Sequence, residues 1–146
     1  MHEGVPSNYT PFLESDGYIG LSGPYYWAKE PSGLVVYGFQ SDARHANPNG
    51  VLHGAAITTF VDTFLGHAVV AATGRPCATV ALNTQFVAGI PTGGWISGRA
   101  TVRKLTRTLA FLDAEVSAQE VLLLTASAIF RVFENRPAQN RSATRP

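Results

Sequence analysis

Hydrophobic and polar residues follow two different periods along the chain. A loop punctuated by glycine and proline, residues 45–53, leads into a long apolar segment. Hydrophobic residues in that segment recur at helical spacing, at Ile57, Val61, Phe64, Ala68 and Ala72. This spacing predicts a helix over residues 54–72 that is ended by Thr73 and Gly74.

Most of the remaining chain alternates in the way that is typical of β-strands. A β-branched and aromatic segment, residues 34–40, precedes the helix. Four alternating segments follow it, at residues 78–87, 95–104, 109–118 and 121–133. Because turns join these four segments, we expect an antiparallel meander in chain order with one apolar face. One long helix must cover that face, which predicts an α+β fold.

The two ends of the chain carry weaker patterns. Residues 8–17 predict a short helix that Gly17 ends, and the segment after Phe133 has no periodicity. We therefore expect a single domain over residues 1–134, long enough to bury a core, and a disordered tail over residues 135–146.

Composition narrows the class of partner. Only 14% of the 146 residues are charged and 45% are hydrophobic, so we expect a second subunit to cover part of the surface. A formal net charge of +1 gives no basic surface for a nucleic acid or an acidic membrane. The single cysteine, Cys77, excludes an internal disulfide and fits a reducing compartment. The first residues lack a signal-peptide pattern, and no apolar run reaches about 18 residues, the length of a membrane span. A cytoplasmic protein is expected.

Asp62 is the one carboxylate inside the predicted helix. Its neighbours three and four positions away are Thr58, Thr59, Leu65 and Gly66, none of which is basic, so no ion pair forms within the helix. Position alone leaves two interpretations, a solvent-facing aspartate or a functional one. The threonine-rich and apolar flanks favour a general base. Gly66 costs a helix interior about 1 kcal/mol relative to alanine, and we expect it to allow close approach of another backbone.

The start of the predicted helix is a second candidate site. The first N–H groups of a helix lack internal acceptors and carry partial positive charge. His53 and Gly54 stand at this position, and a glycine there lets a ligand oxygen approach the N–H groups, as in an oxyanion hole. The alternative is a glycine that only eases the turn from loop to helix.

The spacing Asn47-x-x-Gly50-x-x-His53-Gly54, followed eight residues later by Asp62, resembles that of the hotdog-fold acyl-CoA thioesterases. Within the 4-hydroxybenzoyl-CoA thioesterase superfamily, the sequence resembles the phenylacetate-degradation (PaaI) type. The resemblance spans roughly residues 23–133. It implies a curled antiparallel sheet wrapped around one central helix, and hydrolysis of the thioester of an acyl- or aryl-CoA.

The resemblance also implies roles for single residues. The Gly54 N–H would bind the thioester carbonyl, Asn47 would help to hold that carbonyl or the attacking water, and Asp62 would be the general base or the nucleophile. Thr79 matches a serine or threonine that positions the water. His53 matches the histidine of the motif and is given a structural role before a catalytic one.

Further expectations concern the substrate and the subunits. Ala55 stands where the family usually has a second glycine, which bears on the fit of the substrate at the helix end. No cofactor is expected, because CoA is part of the substrate. We expect a homodimer, and a homotetramer made of two such dimers. The resemblance further implies a site shared between two chains, with Asn47 and Gly54 of one subunit facing Asp62 and Thr79 of the other. The exposed strand edges of the predicted sheet favour such pairing independently.

Basic residues near the turn at Arg107 are candidates for binding the CoA phosphates. Arg107 itself and Lys104 are the preferred ones. With the turn centred there, Arg99 falls opposite Glu115 and is expected to pair with it across the strands.

Two other functions remain open from the sequence. A catalytically silent acyl-CoA-binding or regulatory module of the same fold would need a structural Asp62, and Ala55 is its only support. A hydratase or dehydratase would need an acid–histidine pair, but His67 follows Asp62 by five residues, on a different side of the helix. Metal sites and serine or cysteine nucleophiles are disfavoured. The histidines lack ligand spacing, no Gly-x-Ser-x-Gly elbow occurs, and Cys77 is a lone strand-end residue.

Overall fold

The computed structural model describes residues 4–12 and 17–135. The predicted tail lies outside them, apart from residue 135. The elements in chain order are β1 (Thr10–Pro11), α1 (Gly17–Ser22), β2 (Tyr26–Lys29), β3 (Val35–Gln40), a 3-10 turn (Ala43–His45), α2 (Gly54–Thr73), β4 (Cys77–Phe86), β5 (Trp95–Leu105), β6 (Leu109–Ala118) and β7 (Val121–Val132). The strands of this part of the chain form one antiparallel sheet in the order β1-β2-β3-β5-β6-β7-β4. The predicted α+β architecture, a curled sheet around one long helix, is confirmed.

Helix α2 holds the sheet together. It begins after His53 and ends at Gly74, which adopts the left-handed conformation (φ 66°) and donates its N–H to the Val70 carbonyl. The buried side chains of α2 are Ile57, Phe60, Val61, Phe64, Leu65, Ala68 and Val69. Burial of each larger apolar side chain contributes about 1.5–3 kcal/mol, so packing of this one face is the main source of stability for the helix.

Aromatic packing fixes how α2 is rotated on the sheet. Phe64 stacks on Tyr37 with 4.9 Å between ring centroids, and Phe60 lies 4.8 Å from Phe39. Gly98 of β5 makes room for these rings, because a Cβ there would lie 2.5 Å from a carbon of Phe64. With this face of α2 locked in the core, the side of the helix that carries Asp62 is also fixed.

The expected meander is wrong at β4. Strands β5, β6 and β7 pair in chain order, but β4 pairs with β7, and β5 pairs with β3. Alternation of residues shows which face of a strand is buried, and says nothing about which strand lies beside it. As a consequence β4 is an edge strand of the described sheet. Its Val80 and Phe86 side chains are 61% and 56% exposed.

The helix expected at residues 8–17 is also wrong for the part that the structure describes. Thr10 and Pro11 pair with Trp27 and Tyr26 as strand β1, and helix α1 begins at Gly17 instead of ending there. Proline has no N–H to donate, which suits the outermost strand of a sheet.

The expectation that no segment reaches membrane-span length is wrong for α2. In the part of the chain that the structure describes, α2 is long and apolar enough to cross a membrane, judged by length and composition alone. It is also the core helix of the sheet, with Phe60, Val61, Phe64 and Leu65 completely buried. The apolar character of α2 is therefore explained by the core that it forms.

Candidate active site

The loop before α2 is organised by the side chain of Asn47. Its Oδ1 accepts hydrogen bonds from the N–H groups of Asn49 (2.9 Å) and Val51 (3.1 Å). The Asn47 N–H donates to the Val51 carbonyl at 2.7 Å, and Gly50 supplies the positive φ (74°) that the turn requires. Asn47 Oδ1 is thus engaged in the loop, which leaves the amide nitrogen Nδ2 to meet a substrate.

His53 caps the start of α2. Its Nδ1 accepts a hydrogen bond from the Ala55 N–H at 2.9 Å, a contact that uses the ring as an N-cap. The Ala55 N–H is therefore engaged, whereas the Gly54 N–H has no acceptor in residues 4–12 and 17–135. A ligand oxygen at the helix start would meet the Gly54 N–H.

Gly54 is favoured by its close surroundings and not by its backbone conformation. It is absent from the glycines with positive φ, so the interpretation that it only eases the turn has no support. A Cβ at this position would lie 3.0 and 3.1 Å from two ring carbons of Phe86, at the far end of β4. The start of α2 and the end of β4 are in close contact.

Asp62 and Thr79 meet between α2 and β4. Thr79 Oγ1 donates a hydrogen bond to Asp62 Oδ1 at 2.6 Å, and Asp62 is half-buried. The β4–β7 register slips between Thr79 and Ala81, and such a bulge changes the direction in which side chains point. The structure therefore brings together two of the residues predicted for the site.

A cleft of about 480 Å³ lies beside the Asp62–Thr79 pair. Its lining includes Thr58, Thr63 and Gly66 of α2, and Cys77, Leu82 and Phe130 of the sheet. Asp62, whose Oδ1 accepts the Thr79 hydrogen bond, thus borders a space large enough for part of a ligand. This is where a water could be held for reaction.

Cys77 was not among the predicted site residues, although it lines this cleft. Its Sγ donates a hydrogen bond to the Gly66 carbonyl at 3.5 Å. Burial, and then the nearby Asp62 carboxylate, raise the pKa of the Cys77 thiol above its ordinary value. The thiol therefore stays protonated at neutral pH and does not provide the thiolate that a cysteine nucleophile requires.

The environment of Gly66 differs from the expectation. No backbone of another segment of the described chain comes within 4 Å of a Cβ placed at this glycine. The atoms that such a Cβ would meet are a ring carbon of Phe130 at 3.6 Å and Cys77 Sγ at 4.0 Å. Close backbone approach within the chain is thus not the reason for Gly66.

The two halves of the predicted site do not meet within one chain. Gly54 and Asp62 are eight residues apart on the same helix, and a rise of 1.5 Å per residue separates them by about 12 Å along the axis. A general base must lie within about 3 Å of the water that it activates. A water held by Asp62 therefore cannot attack a carbonyl bound at the Gly54 N–H of the same chain.

The basic candidates lie at the β5–β6 turn. The Arg107 side chain is 82% exposed, with its Nη1 3.8 Å from Glu134 Oε1, and Lys104 is exposed. Arg99 stands opposite Glu115 as predicted, but its guanidinium pairs with Glu30 at 3.3 Å, so the predicted ion pair is wrong.

His67 belongs to a different part of the molecule. Its Nδ1 lies 3.2 Å from Tyr37 Oη, and its ring stacks on Phe12 with 4.9 Å between centroids. This placement on the aromatic side of α2 gives no support to a hydratase in which His67 works with Asp62. No three His, Cys, Asp or Glu side chains of the described chain form a group that could hold a metal ion.

Two features of this fold are expected of a hydrolase that acts on acyl groups. The start of α2 has an N–H donor without an acceptor, and a carboxylate lies beside a cleft. The chain belongs to the thioesterase superfamily, whose family model matches residues 49–125, more than half of its length. The protein is therefore a hydrolase acting on thioesters, and the resemblance seen in the sequence is confirmed.

Individual relatives agree with this family. The candidate esterase PA0474 of Pseudomonas aeruginosa is 28% identical over 130 residues, which is 88% of this chain and 97% of the relative. Zebrafish thioesterase superfamily member 2 has a similar fold, with a TM-score of 0.74 and 24% identity over 82% of this chain and 89% of that one. The BH2602 protein of Bacillus halodurans, crystallised with CoA, has a TM-score of 0.69 and 19% identity over 75% of this chain and 74% of that one.

The cap geometry predicts a structural effect of His53. Replacing His53 by alanine should lower the free energy of unfolding by about 1 kcal/mol, because the Ala55 N–H loses its acceptor. His53→Ser keeps an N-cap acceptor and should restore most of the loss. Urea denaturation measures both variants, and equal destabilisation by alanine and serine would contradict the capping role.

Proposed function

We propose that this protein hydrolyses an acyl- or aryl-CoA thioester to the free acid and CoA. The observation that carries the proposal is the 2.6 Å hydrogen bond from Thr79 to Asp62 beside an open cleft. Family membership supports a thioester as the substrate, and the CoA held by the Bacillus halodurans neighbour supports CoA as its thiol part. A cytoplasmic location, expected from the sequence, suits such a substrate, and no further cofactor is needed.

In the proposed reaction Asp62 is the base. Thr79 occupies Oδ1, so Oδ2 is free to take a proton from a water in the cleft. The water oxygen bonds to the thioester carbon, and the negative charge that develops on the carbonyl oxygen is stabilised by the Gly54 N–H. The C–S bond then breaks, and the CoA thiolate takes the proton that Asp62 had accepted, which yields the thiol and restores the carboxylate. In the alternative route, Asp62 attacks the carbon directly, the C–S bond breaks as the CoA thiolate leaves, and water hydrolyses the resulting anhydride to the acid and free Asp62.

The separation of about 12 Å along α2 supports a site in which Gly54 and Asp62 come from different protomers. The unpaired edge of β4 supports a homodimer in which two β4 strands pair antiparallel around a twofold axis. One end of β4 carries Thr79 beside Asp62, and the other end carries Phe86 against Gly54. Antiparallel pairing would set each end beside the opposite end of the other copy. Two shared sites per dimer follow, and this geometry does not require a homotetramer.

Two further residues receive roles in this proposal. Asn47 Nδ2 would donate to the thioester carbonyl or to the water, since its Oδ1 is used by the loop. Arg107, and Lys104 close to it, would bind CoA phosphates, because Arg107 is exposed and only loosely paired. The alternative function, a silent acyl-CoA-binding or regulatory module, would use the Asp62–Thr79 hydrogen bond for stability alone.

Asp62→Asn separates hydrolysis from silent binding. The amide keeps the shape but cannot accept the proton, so kcat for a hydrolysed acyl-CoA should fall at least about a hundredfold, with affinity largely kept. Release of free thiol measures kcat, and calorimetry measures affinity. Asp113→Asn, which removes a carboxylate paired with Arg103 on the sheet, is the matched control. Turnover close to that of the unmodified protein in Asp62→Asn would rule out the catalytic assignment.

Mixing two inactive variants tests the shared site. Asn47→Ala and Asp62→Asn homodimers should each be nearly inactive. After joint unfolding and refolding, about half of the dimers are mixed, and each holds one site with both lesions and one with none. Activity should return to about a quarter of the unmodified level. Mixed dimers that stay as inactive as their parents would mean that each site lies within one chain.

Neutralising Arg107 or Lys104 tests the phosphate contacts. Arg107→Gln and Lys104→Gln should raise KM for acyl-CoA several-fold, and should leave hydrolysis of a short thioester without the nucleotide unchanged. Arg99→Gln is the control, because Arg99 pairs with Glu30. Equal effects on both substrates would show that the residue acts on the structure instead of on CoA.

A further inference from the structure

Gly66 is a glycine that packing within the chain does not require. It lies in the interior of α2, where glycine costs about 1 kcal/mol relative to alanine. A Cβ at Gly66 would meet Phe130 at 3.6 Å and Cys77 at 4.0 Å, which are ordinary contacts. At Gly98, by comparison, a Cβ would collide with Phe64 at 2.5 Å. Packing against Phe64 explains why position 98 is a glycine. No such contact explains Gly66, which instead borders an open space.

That space is the cleft of the Asp62–Thr79 pair. Gly66 follows Asp62 by one helical turn and lines the same cleft. Because the glycine has no side chain, the cleft extends past α2 toward Phe130, Leu82 and Cys77 of the sheet. An acyl group whose carbonyl carbon lies near Asp62 would have its tail in this extension.

The chemistry of the lining selects the kind of tail. The walls near Gly66 are apolar, and the thiol of Cys77 stays neutral because burial and Asp62 raise its pKa. The hydroxyls of Thr58 and Thr63 donate to backbone carbonyls four residues earlier, so their protons are engaged. Among the described residues of one protomer that line the cleft, none is a lysine, arginine or histidine, and Asp62 is the one carboxylate. A second negative charge would be repelled there and would find no partner.

We propose that the cleft beside Gly66 is the acyl pocket, that it selects uncharged apolar acyl groups over acyl groups with a terminal carboxylate, and that Gly66 sets its depth. The inference rests on the proposed function in one respect, that the ligand is an acyl-CoA. It adds the class of the acyl group and the residue that limits its size.

Binding of CoA thioethers tests the pocket without any need for turnover. S-benzyl-CoA and S-hexyl-CoA carry apolar tails, S-(3-carboxypropyl)-CoA carries a charged one, and CoA carries none. Calorimetry on the unmodified protein should give at least about tenfold tighter binding for the apolar thioethers than for the carboxylate, an ordinary size for removing a buried unpaired charge. Equal affinities for apolar and charged tails would overturn the selection.

Substitutions at Gly66 test its role as the depth limit. Gly66→Leu should weaken the apolar thioethers at least about tenfold toward the affinity of CoA itself, because the leucine fills the pocket, while CoA affinity stays unchanged. Gly66→Ala should have a smaller effect and should raise the melting temperature through helix propensity. Val70→Leu, one turn further along α2 and outside the cleft lining, is the control. Unchanged affinity for the apolar thioethers in Gly66→Leu would overturn the proposal.

Subunit packing is the competing explanation for Gly66, and one measurement separates it. If the glycine serves close approach of two protomers, Gly66→Ala should weaken the dimer in sedimentation experiments, and that result would overturn the pocket assignment. Hydrolysis of the corresponding acyl-CoA esters is measured in parallel. Absence of hydrolysis with the expected order of thioether affinities would disprove the thioesterase function and support the pocket. Hydrolysis without that order of affinities would support the thioesterase function and disprove the pocket.

Discussion

The burial of one face of α2 is the constraint on which the rest of the structure depends. Phe60 and Phe64 are completely buried, and their rings pack directly against Gly98 of the sheet. This contact fixes the rotation of α2 about its own axis. That packing also fixes the direction of every side chain on the opposite face of α2. Asp62 can stand beside a cleft without a basic partner because the core residues, and not its own interactions, hold the helix in place. The stability of the fold and the position of Asp62 thus have the same origin.

A straight helix also sets what one chain cannot do. Its rise of 1.5 Å per residue keeps Gly54 and Asp62 about 12 Å apart, whatever the loops do. Local adjustments of the Asn47 loop cannot remove this separation, since His53 caps the helix and fixes where the loop ends. In the proposed mechanism, a single protomer therefore has the oxyanion donor at one end of α2 and the base about 12 Å further along, so that the two cannot act on the same carbonyl. Assembly with a second copy is the direct way to join them.

The sequence predicted the features that depend on local spacing. The extent of α2 and its end at Gly74 follow from periodicity, and the structure has both to within one residue. The family motif named Asp62 and Thr79 as residues of one site, and the structure brings them into hydrogen-bond contact, while their catalytic roles stay predictions. The predicted pairing of β4 with β5 was wrong because alternation carries no information about which strand lies beside another. The contact of Phe86 with Gly54 joins residues 32 positions apart. It depends on that strand order, and no local pattern predicts it.

Strand β4 connects these observations. Thr79, beside the register shift in this strand, donates its hydroxyl to Asp62, and Phe86, the last residue of the strand, packs on Gly54. The outer edge of β4 is unpaired in the described sheet. An exposed apolar edge is a cost for a soluble monomer, and the same edge would unite the two halves of the site in a dimer. Exposure of Val80 and Phe86 is therefore most simply explained as surface that assembly covers. If β4 lay in the interior of the sheet, it could still support the Asp62–Thr79 pair, but it would have no free edge at which a second chain could pair.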